Sequence, residues 1–274
     1  MRSSVYIVTS LIAAAISTSG SMAVVDRRAI TFPAGNSKFD YQLGGAYTPP
    51  SGTQLVVRDR TAAPAPNVYN ICYINAFQTQ PAESAWWKTN HDSLLLRKSD
   101  NQYFEDPEWP GEIIFDTKTA EKRAAIAAVL NGWIDSCATA GFKAIEPDNL
   151  DTYTRSKGLL SKANNLALAK LIADHAHGAN LAIAQKNTAE LGSEGKSTVG
   201  FDFAIVEECQ AWDECDGYTS VYGARVLEIE YTDTENAQSV FKTACAARGS
   251  TLSIILRDRQ LVAQGKSGYH YEEC

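Results

Sequence analysis

The stretch Gly141-Phe142-Lys143-Ala144-Ile145-Glu146-Pro147-Asp148-Asn149-Leu150-Asp151 decides the fold: an apolar run of strand length ends in a group of carboxylates. A second run, Phe201-Asp202-Phe203-Ala204-Ile205-Val206-Glu207-Glu208-Cys209, ends in the same way. Carboxylates at the ends of buried strands are costly unless they are paired, hydrogen-bonded or used in chemistry. Two strands that end in acids therefore indicate a chemical site at one edge of a sheet.

Near-continuous apolar runs of strand length recur through the chain, as in strands that are covered on both faces. Helical patterns lie between them, over Ala120–Ala140, Lys162–His177 and Thr234–Arg248. This alternation predicts an α/β fold with a parallel sheet. The strand candidates are Phe39–Leu43, Leu55–Arg58, Val68–Asn75, Glu112–Phe115, Phe142–Glu146, Leu181–Lys186, Phe203–Glu207, Val226–Tyr231 and Leu252–Arg257.

The length favours a single-domain (β/α)8 TIM barrel, for which about 250 residues are typical. Nine strand candidates exceed eight by one, so that Phe39–Leu43 or Leu55–Arg58 lies outside the barrel, or the barrel is decorated with an extra strand. A doubly wound open sheet is the alternative. No glycine-rich phosphate loop follows a strand, which argues against that sheet and against a nucleotide function.

The N-terminus has the pattern of a secretory signal, with Arg2 ahead of an apolar run that is too short for a typical membrane span. Small residues at Ser21 and Ala23 predict cleavage after residue 23. Residues 24–38 form an N-terminal segment or short pro-region, with Arg27-Arg28 as a second processing site, and residues 39–274 form the barrel domain. We expect a secreted, extracellular monomer without a membrane anchor.

The net charge of −7 argues against nucleic acid as a partner, because nucleic acid requires a basic face. Six cysteines in a secreted chain most simply form three disulfides, although six allow 15 pairings. Cys209 and Cys215 are close enough to close a small loop. Cys245 with Cys274 would fix the end of the chain, which leaves Cys72 with Cys137.

The strand ends supply the candidate site, because the active site of a parallel barrel lies at the carboxyl ends of its strands. Two carboxylates are the minimum for glycoside hydrolysis. We expect Asp148 to act with Glu207 or Glu208. Adjacent residues face opposite ways in a strand, so that only one of the two glutamates points inward. The strand period does not choose between them, and our preference is Glu207. Asp59 and Asp116 fit turns. The expected substrate-binding residues are Tyr73, Glu146, Asp151, Lys186, Asn187, Trp212 and Glu230.

These motifs resemble glycoside hydrolase family 114, the endo-α-1,4-polygalactosaminidases with a TIM-barrel domain. The resemblance lies in Gly141–Asp151, in Lys186-Asn187 and in Phe201–Cys209 followed by Glu214-Cys215; Gly111-Glu112, Phe39–Leu43 and Glu228–Tyr231 also fit. The chain departs from the family pattern at Lys143, where Asp is usual, and over Cys72–Phe77, where a glycine-containing version is common.

The resemblance implies an endo-acting hydrolase of a galactosamine-containing polysaccharide, that is, a cationic partner. We expect no metal and no cofactor. A carboxylate at a strand end would then have a second use, as the partner of each substrate amine. The rival hypothesis is a non-catalytic barrel that binds an amino-sugar polymer. A metal-dependent hydrolase is disfavoured, because the spacing of Asp148 and Asp151 does not match a calcium loop.

Overall fold

The computed structural model describes residues 29–274, which form a curled nine-stranded sheet in which the strands follow one another in chain order. Eight of the strands are parallel, and the ninth is antiparallel to the eighth. The strands are β1 Phe39–Gln42, β2 Leu55–Asp59, β3 Tyr69–Asn75, β4 Ala144–Asp148, β5 Ala182–Lys186, β6 Phe203–Glu207, β7 Val226–Tyr231, β8 Ser253–Arg257 and β9 Tyr271–Glu273.

The sheet curls until β8 meets β1. Gly44 forms a parallel bridge with Val262 just beyond the two strands, and Arg257 Nη1 donates to Asp40 Oδ1 at 3.0 Å. The Tyr271 hydroxyl on β9 also donates to the Phe39 carbonyl oxygen at 2.9 Å. These contacts confirm a TIM-barrel-like α/β fold with an added strand.

The added strand differs from the one that the sequence predicts. Phe39–Leu43 and Leu55–Arg58 both supply barrel strands, β1 and β2, whereas the extra strand is β9 near residue 274. The predicted strand Glu112–Phe115 is wrong. Its residues form only isolated antiparallel bridges, to Gln78, Leu95 and Glu105, within the long segment between β3 and β4.

The α-helices lie in the connections β3–β4, β4–β5, β6–β7 and β7–β8, the connection β5–β6 holds only two short helical turns, and the connections after β1 and β2 hold no helix. Thr119 caps α2 through the Lys122 amide at 3.2 Å, and Gly141, at φ +103°, ends it. Ser161 and Asn164 form a capping box at α4. The helices are α1 Ser84–Asn90, α2 Ala120–Ala140, α3 Thr152–Arg155, α4 Lys162–Gly178, α5 Cys215–Tyr222 and α6 Ala237–Arg248.

Two apolar layers cover the two faces of the strands. Alternate residues such as Tyr41, Ala184 and Ile229 fill the barrel interior, and the residues between them pack against the helices. The near-continuous apolar runs of the sequence follow from this double burial. A side chain at a strand end therefore points into the barrel or into the helix layer according to its position along the strand.

Three disulfides join Cys72 to Cys137, Cys209 to Cys215 and Cys245 to Cys274, as the sequence predicts. The first ties β3 to α2, and the second closes a short loop after β6. No helix within residues 29–274 is long and apolar enough to cross a membrane. The predicted signal peptide and the Arg27-Arg28 pair lie outside the described residues.

Candidate active site

A single buried lysine gathers three carboxylates at the carboxyl ends of β4, β5 and β6. Lys186 Nζ lies 3.2 Å from an oxygen of each of Glu146, Asp148 and Glu207. All four residues occupy the inward-facing positions of their strands, in phase with Ala144, Ala184 and Ile205 of the interior layer. We call these four residues, Glu146, Asp148, Lys186 and Glu207, the lysine cluster.

The lysine in this cluster is held in its charged form. Burial disfavours the ammonium, but the neighbouring carboxylates, first Asp148 and then Glu207, outweigh burial and hold the pKa of Lys186 well above its ordinary value. Only 2% of the Lys186 side chain is exposed. A fixed buried cation of this kind stabilises the ionised form of a neighbouring acid.

Asp148 is the carboxylate that the cluster keeps ionised. The Tyr73 hydroxyl donates to its Oδ2 at 2.7 Å, and the Asn149 amide donates to its Oδ1 at 2.9 Å. Burial alone would raise the pKa of Asp148, but Lys186 and the Tyr73 hydrogen bond outweigh burial and lower this pKa below its ordinary value. A permanently charged carboxylate suits a nucleophile.

Glu207 faces Asp148 across the same ammonium and is fixed by two further donors. The Tyr231 hydroxyl donates to Oε1, and Asn187 Nδ2 donates to Oε2 at 3.0 Å. Asn187 Oδ1 in turn accepts from the Glu207 amide at 2.8 Å. The side chain keeps 26% of its surface exposed, so that Glu207 is anchored and still open to a ligand.

Glu146 lies deeper in the barrel than its two partners and has no exposed surface. Its Oε1 accepts from the Tyr41 hydroxyl at 2.6 Å, whereas its Oε2 is buried without a hydrogen-bond partner. Burial raises the pKa of Glu146 to about 7, against the opposing effect of Lys186. Glu146 therefore supports the cluster from beneath and does not contact the open side.

Glu208 points away from the lysine cluster. Arg259 grips its carboxylate with two hydrogen bonds of 2.8 Å, and the Thr234 hydroxyl donates to it at 2.5 Å. Its backbone has turned to φ +60°, so that the extended chain ends at Glu207. Of the two candidate glutamates, only Glu207 lies with Asp148.

The other predicted binding residues divide between the rim and the helix layer. Asp151 lies just past β4 and is held by Arg155 Nη1 at 2.6 Å, and Trp212, on the Cys209–Cys215 loop, is 70% exposed. Glu230 does not join them. It lies between the inward residues Ile229 and Tyr231, so that it faces the helices, where the Gln210 amide donates to its Oε1 at 2.9 Å.

Glu112 is an acid near the site to which sequence reasoning gave no chemical role. Its Oε2 accepts from Asn75 Nδ2 at 3.0 Å and from Gln78 Nε2 at 2.8 Å, which places it beside the end of β3. Because Glu112–Phe115 is predicted as a barrel strand, the sequence analysis does not place Glu112 at the end of β3. The Gly111-Glu112 pair within the family pattern was the signal that could have found it.

The arrangement defines a class of protein. A barrel with two carboxylates at the carboxyl ends of β4 and β6, on either side of Lys186 on β5 and with one of them held ionised, has the equipment of a glycoside hydrolase. The sequence model of glycoside-hydrolase family GH114 matches residues 20–274. The chain therefore belongs to this family and is a glycoside hydrolase.

Two solved structures show the same fold. The first is Ega3 of Aspergillus fumigatus in complex with galactosamine, with a TM-score of 0.69 and 20% identity over 90% of this chain and 98% of that chain. The second is the glycoside hydrolase domain of PelA from Pseudomonas aeruginosa, with a TM-score of 0.57 and 14% identity over 84% of this chain and 98% of that chain. Among curated protein sequences, none matches the chain.

Proposed function

We propose that the chain is a secreted, endo-acting hydrolase that cleaves α-1,4-linked galactosamine in galactosamine-containing polysaccharide, with Asp148 and Glu207 as its two carboxylates. The observation that carries the proposal is the contact of both carboxylates with the one ammonium of Lys186. Membership of family GH114 supports the reaction, and the galactosamine complex of Ega3 supports the sugar. The three disulfides support secretion, because disulfides persist in oxidising compartments.

The proposal includes a retaining reaction, that is, one that keeps the anomeric configuration. Asp148 Oδ1 and Glu207 Oε2 each lie 3.2 Å from the same nitrogen, so that they are separated by at most twice that distance. Inverting enzymes keep their carboxyl groups roughly 6.5–9.5 Å apart to admit a water molecule, whereas retaining enzymes keep them about 5–5.5 Å apart. The bound applies to the two oxygens that face Lys186, which are thus no farther apart than the lower end of the inverting range, and a retaining reaction is the one that we propose.

Each residue of the pair then has a role in two steps. Asp148, held ionised by Lys186 and Tyr73, attacks the anomeric carbon while Glu207, which enters this step in its protonated form, gives that proton to the departing glycosidic oxygen. In the second step Glu207 takes a proton from water, the water oxygen attacks the anomeric carbon, and the bond to Asp148 breaks. Asn187 and Tyr231 keep the Glu207 carboxylate in place through both steps.

The charge of the lysine cluster supports a cationic substrate. Three carboxyl groups surround one ammonium, so that the cluster is negative whenever more than one of the three is ionised. The free amine of galactosamine is a cation near neutral pH, whereas the N-acetylated sugar offers none. Complementary charges on a cleft and its ligand favour binding, and this contribution to binding weakens as salt is added.

Product analysis on a defined polymer tests the proposal. The purified chain is incubated with a partly deacetylated α-1,4-galactosamine polymer and with its fully N-acetylated counterpart of equal length. We expect internal cleavage of the deacetylated polymer, with a kcat/KM that falls with salt, and little cleavage of the acetylated one. A chain that binds the deacetylated polymer and never shortens it would instead be the non-catalytic amino-sugar-binding barrel.

A further inference from the structure

The long segment between β3 and β4 carries a closed turn over residues 106–112. The Asp106 amide donates to the Glu112 carbonyl oxygen at 2.8 Å, and the Glu112 amide donates to the Trp109 carbonyl oxygen at 3.1 Å. The Trp109 amide also donates to the Asp106 carbonyl oxygen at 3.2 Å. These hydrogen bonds join an exposed tryptophan and a carboxylate in one compact unit.

Arg155 fastens this turn to the end of β4. Its Nε donates to Asp106 Oδ2 at 2.8 Å, and its Nη2 donates to Asn149 Oδ1 at 3.0 Å. The Asn149 amide in turn donates to Asp148 Oδ1 at 2.9 Å. Arginine stays charged throughout the accessible pH range. Arg155 thus ties the turn to Asn149, the residue next to Asp148.

Glu112 in this turn has no cation beside it. Its two hydrogen bonds come from neutral amides, those of Asn75 and Gln78, and both reach Oε2. Within residues 29–274, no lysine, arginine or histidine pairs with Glu112 and no group donates to its Oε1. A half-buried carboxylate with one open oxygen and no counter-ion is a position that a ligand cation would stabilise.

Trp109 supplies the apolar part of the same unit. It is 49% exposed, and Trp212, on the loop after β6, is 70% exposed. The two tryptophans thus stand on the loops that follow β3 and β6, on either side of the strands that carry Asp148 and Lys186. Flat aromatic rings with apolar faces suit the apolar face of a sugar ring.

We propose that Trp109 and Glu112 form a sugar subsite on the β3 side of Asp148, where the tryptophan ring stacks on one galactosamine unit and the carboxylate pairs with its ammonium. The polymer then crosses the lysine cluster from the Trp109 loop to the Trp212 loop. This subsite rests on the proposed function, because it takes galactosamine polymer as the ligand.

Binding and turnover are measured separately, so that failure of the subsite and failure of the proposed function are distinguishable. Binding is measured by calorimetric titration of the Asp148→Asn chain, so that the measurement does not depend on turnover. The ligands are a defined α-1,4-galactosamine oligomer and its N-acetylated counterpart. Trp109→Ala and Glu112→Gln are each added to this background. Trp86→Ala is the matched control, since Trp86 is 45% exposed and lies on α1 of the same segment.

We expect Trp109→Ala to weaken binding of both oligomers about tenfold, the equivalent of about 1.4 kcal/mol, with no change for Trp86→Ala. Glu112→Gln keeps an oxygen for the amides of Asn75 and Gln78 and removes the charge. It should weaken binding of the galactosamine oligomer alone and reduce the salt dependence of that binding. Unchanged binding in Trp109→Ala, or equal effects of Glu112→Gln on both oligomers, would overturn the subsite even if the wild-type chain cleaves polymer.

Discussion

Glu146 on β4 and Glu230 on β7 look alike by every local measure. Neither has exposed surface, each keeps a buried Oε2 without a partner, and burial raises the pKa of each to about 7. They nevertheless lie on opposite faces of the barrel wall. Glu146 faces Lys186 in the interior, whereas Glu230 accepts from the Gln210 amide in the helix layer.

The comparison teaches that a raised pKa and a strand-end position do not by themselves identify a functional acid. The two residues differ in the groups that are affected when the carboxyl gains or loses a proton. A proton lost from Glu146 places a further negative charge beside the ammonium that Asp148 and Glu207 share. A proton lost from Glu230 acts mainly on the packing beneath the Cys209–Cys215 loop.

The largest expected effect is a loss of activity that separates the acids facing the barrel interior from those facing away from it. Asp148→Asn and Glu207→Gln should each lower kcat/KM on galactosamine polymer by at least about 10²–10⁴-fold, since general acid–base groups contribute that much and a nucleophile contributes more. Glu208→Gln, whose carboxylate is held by Arg259 and Thr234, should keep activity within a few-fold of wild type. Steady-state kinetics with a folding check by circular dichroism decides. Near-normal turnover in Asp148→Asn would remove Asp148 from the mechanism.

A second effect concerns stability and belongs to Glu230. Its carboxyl keeps a proton up to about pH 7 in the folded chain, whereas in the unfolded chain it ionises near pH 4.5. The folded state therefore binds more protons between these values, and the free energy of unfolding falls as pH rises, by on the order of 3 kcal/mol in total. This stabilisation is fully present below pH 4.5.

Urea denaturation at pH 5 and pH 8 measures that loss. Glu230→Gln cannot ionise, so that the difference in unfolding free energy between the two pH values should shrink relative to wild type. Glu235→Gln, a change at an exposed glutamate, is the control and should leave the difference unaltered. An unchanged difference in Glu230→Gln would show that Glu230 does not carry this pH dependence.

The smallest effect is a change in the shape of a pH profile. Glu146 ionises near pH 7 in contact with Lys186, so that kcat/KM of the wild type should show an inflection of several-fold near that pH. Glu146→Gln should remove the inflection, and Glu230→Gln should keep it. If both variants keep it, the inflection belongs to another group and Glu146 does not tune the cluster.

Sequence reasoning worked where the strand period was intact. A period of two places Glu146 and Asp148 on one side, and the structure shows both around Lys186. The period gave no choice between Glu207 and Glu208 because the chain leaves the extended conformation at Glu208, with φ +60°. Which residue turns inward at such a break depends on tertiary contacts, here the grip of Arg259.

The remaining misses concern side-chain direction and strand pairing, neither of which the local sequence pattern fixes. Leu227, Ile229 and Tyr231 share one face of β7 and Glu228 and Glu230 share the other, but the pattern does not say which face lines the barrel interior. β9 reads Tyr-Glu-Glu and has no apolar pattern of its own; its pairing with β8 is read only from the three-dimensional contacts. Glu112–Phe115 has a strand pattern, yet its partners lie in the same loop segment.

Lys186 makes its three carboxylates genetically interdependent. Each acid is stabilised by the same ammonium, so that removal of one carboxylate strengthens the interaction of Lys186 with the other two. Residues that share one partner show coupling energies of about 0.5–3 kcal/mol in double-mutant cycles. Single substitutions at Glu146, Asp148 and Glu207 are therefore not additive, and drift at one of these positions in related sequences should be accompanied by compensating change at the others.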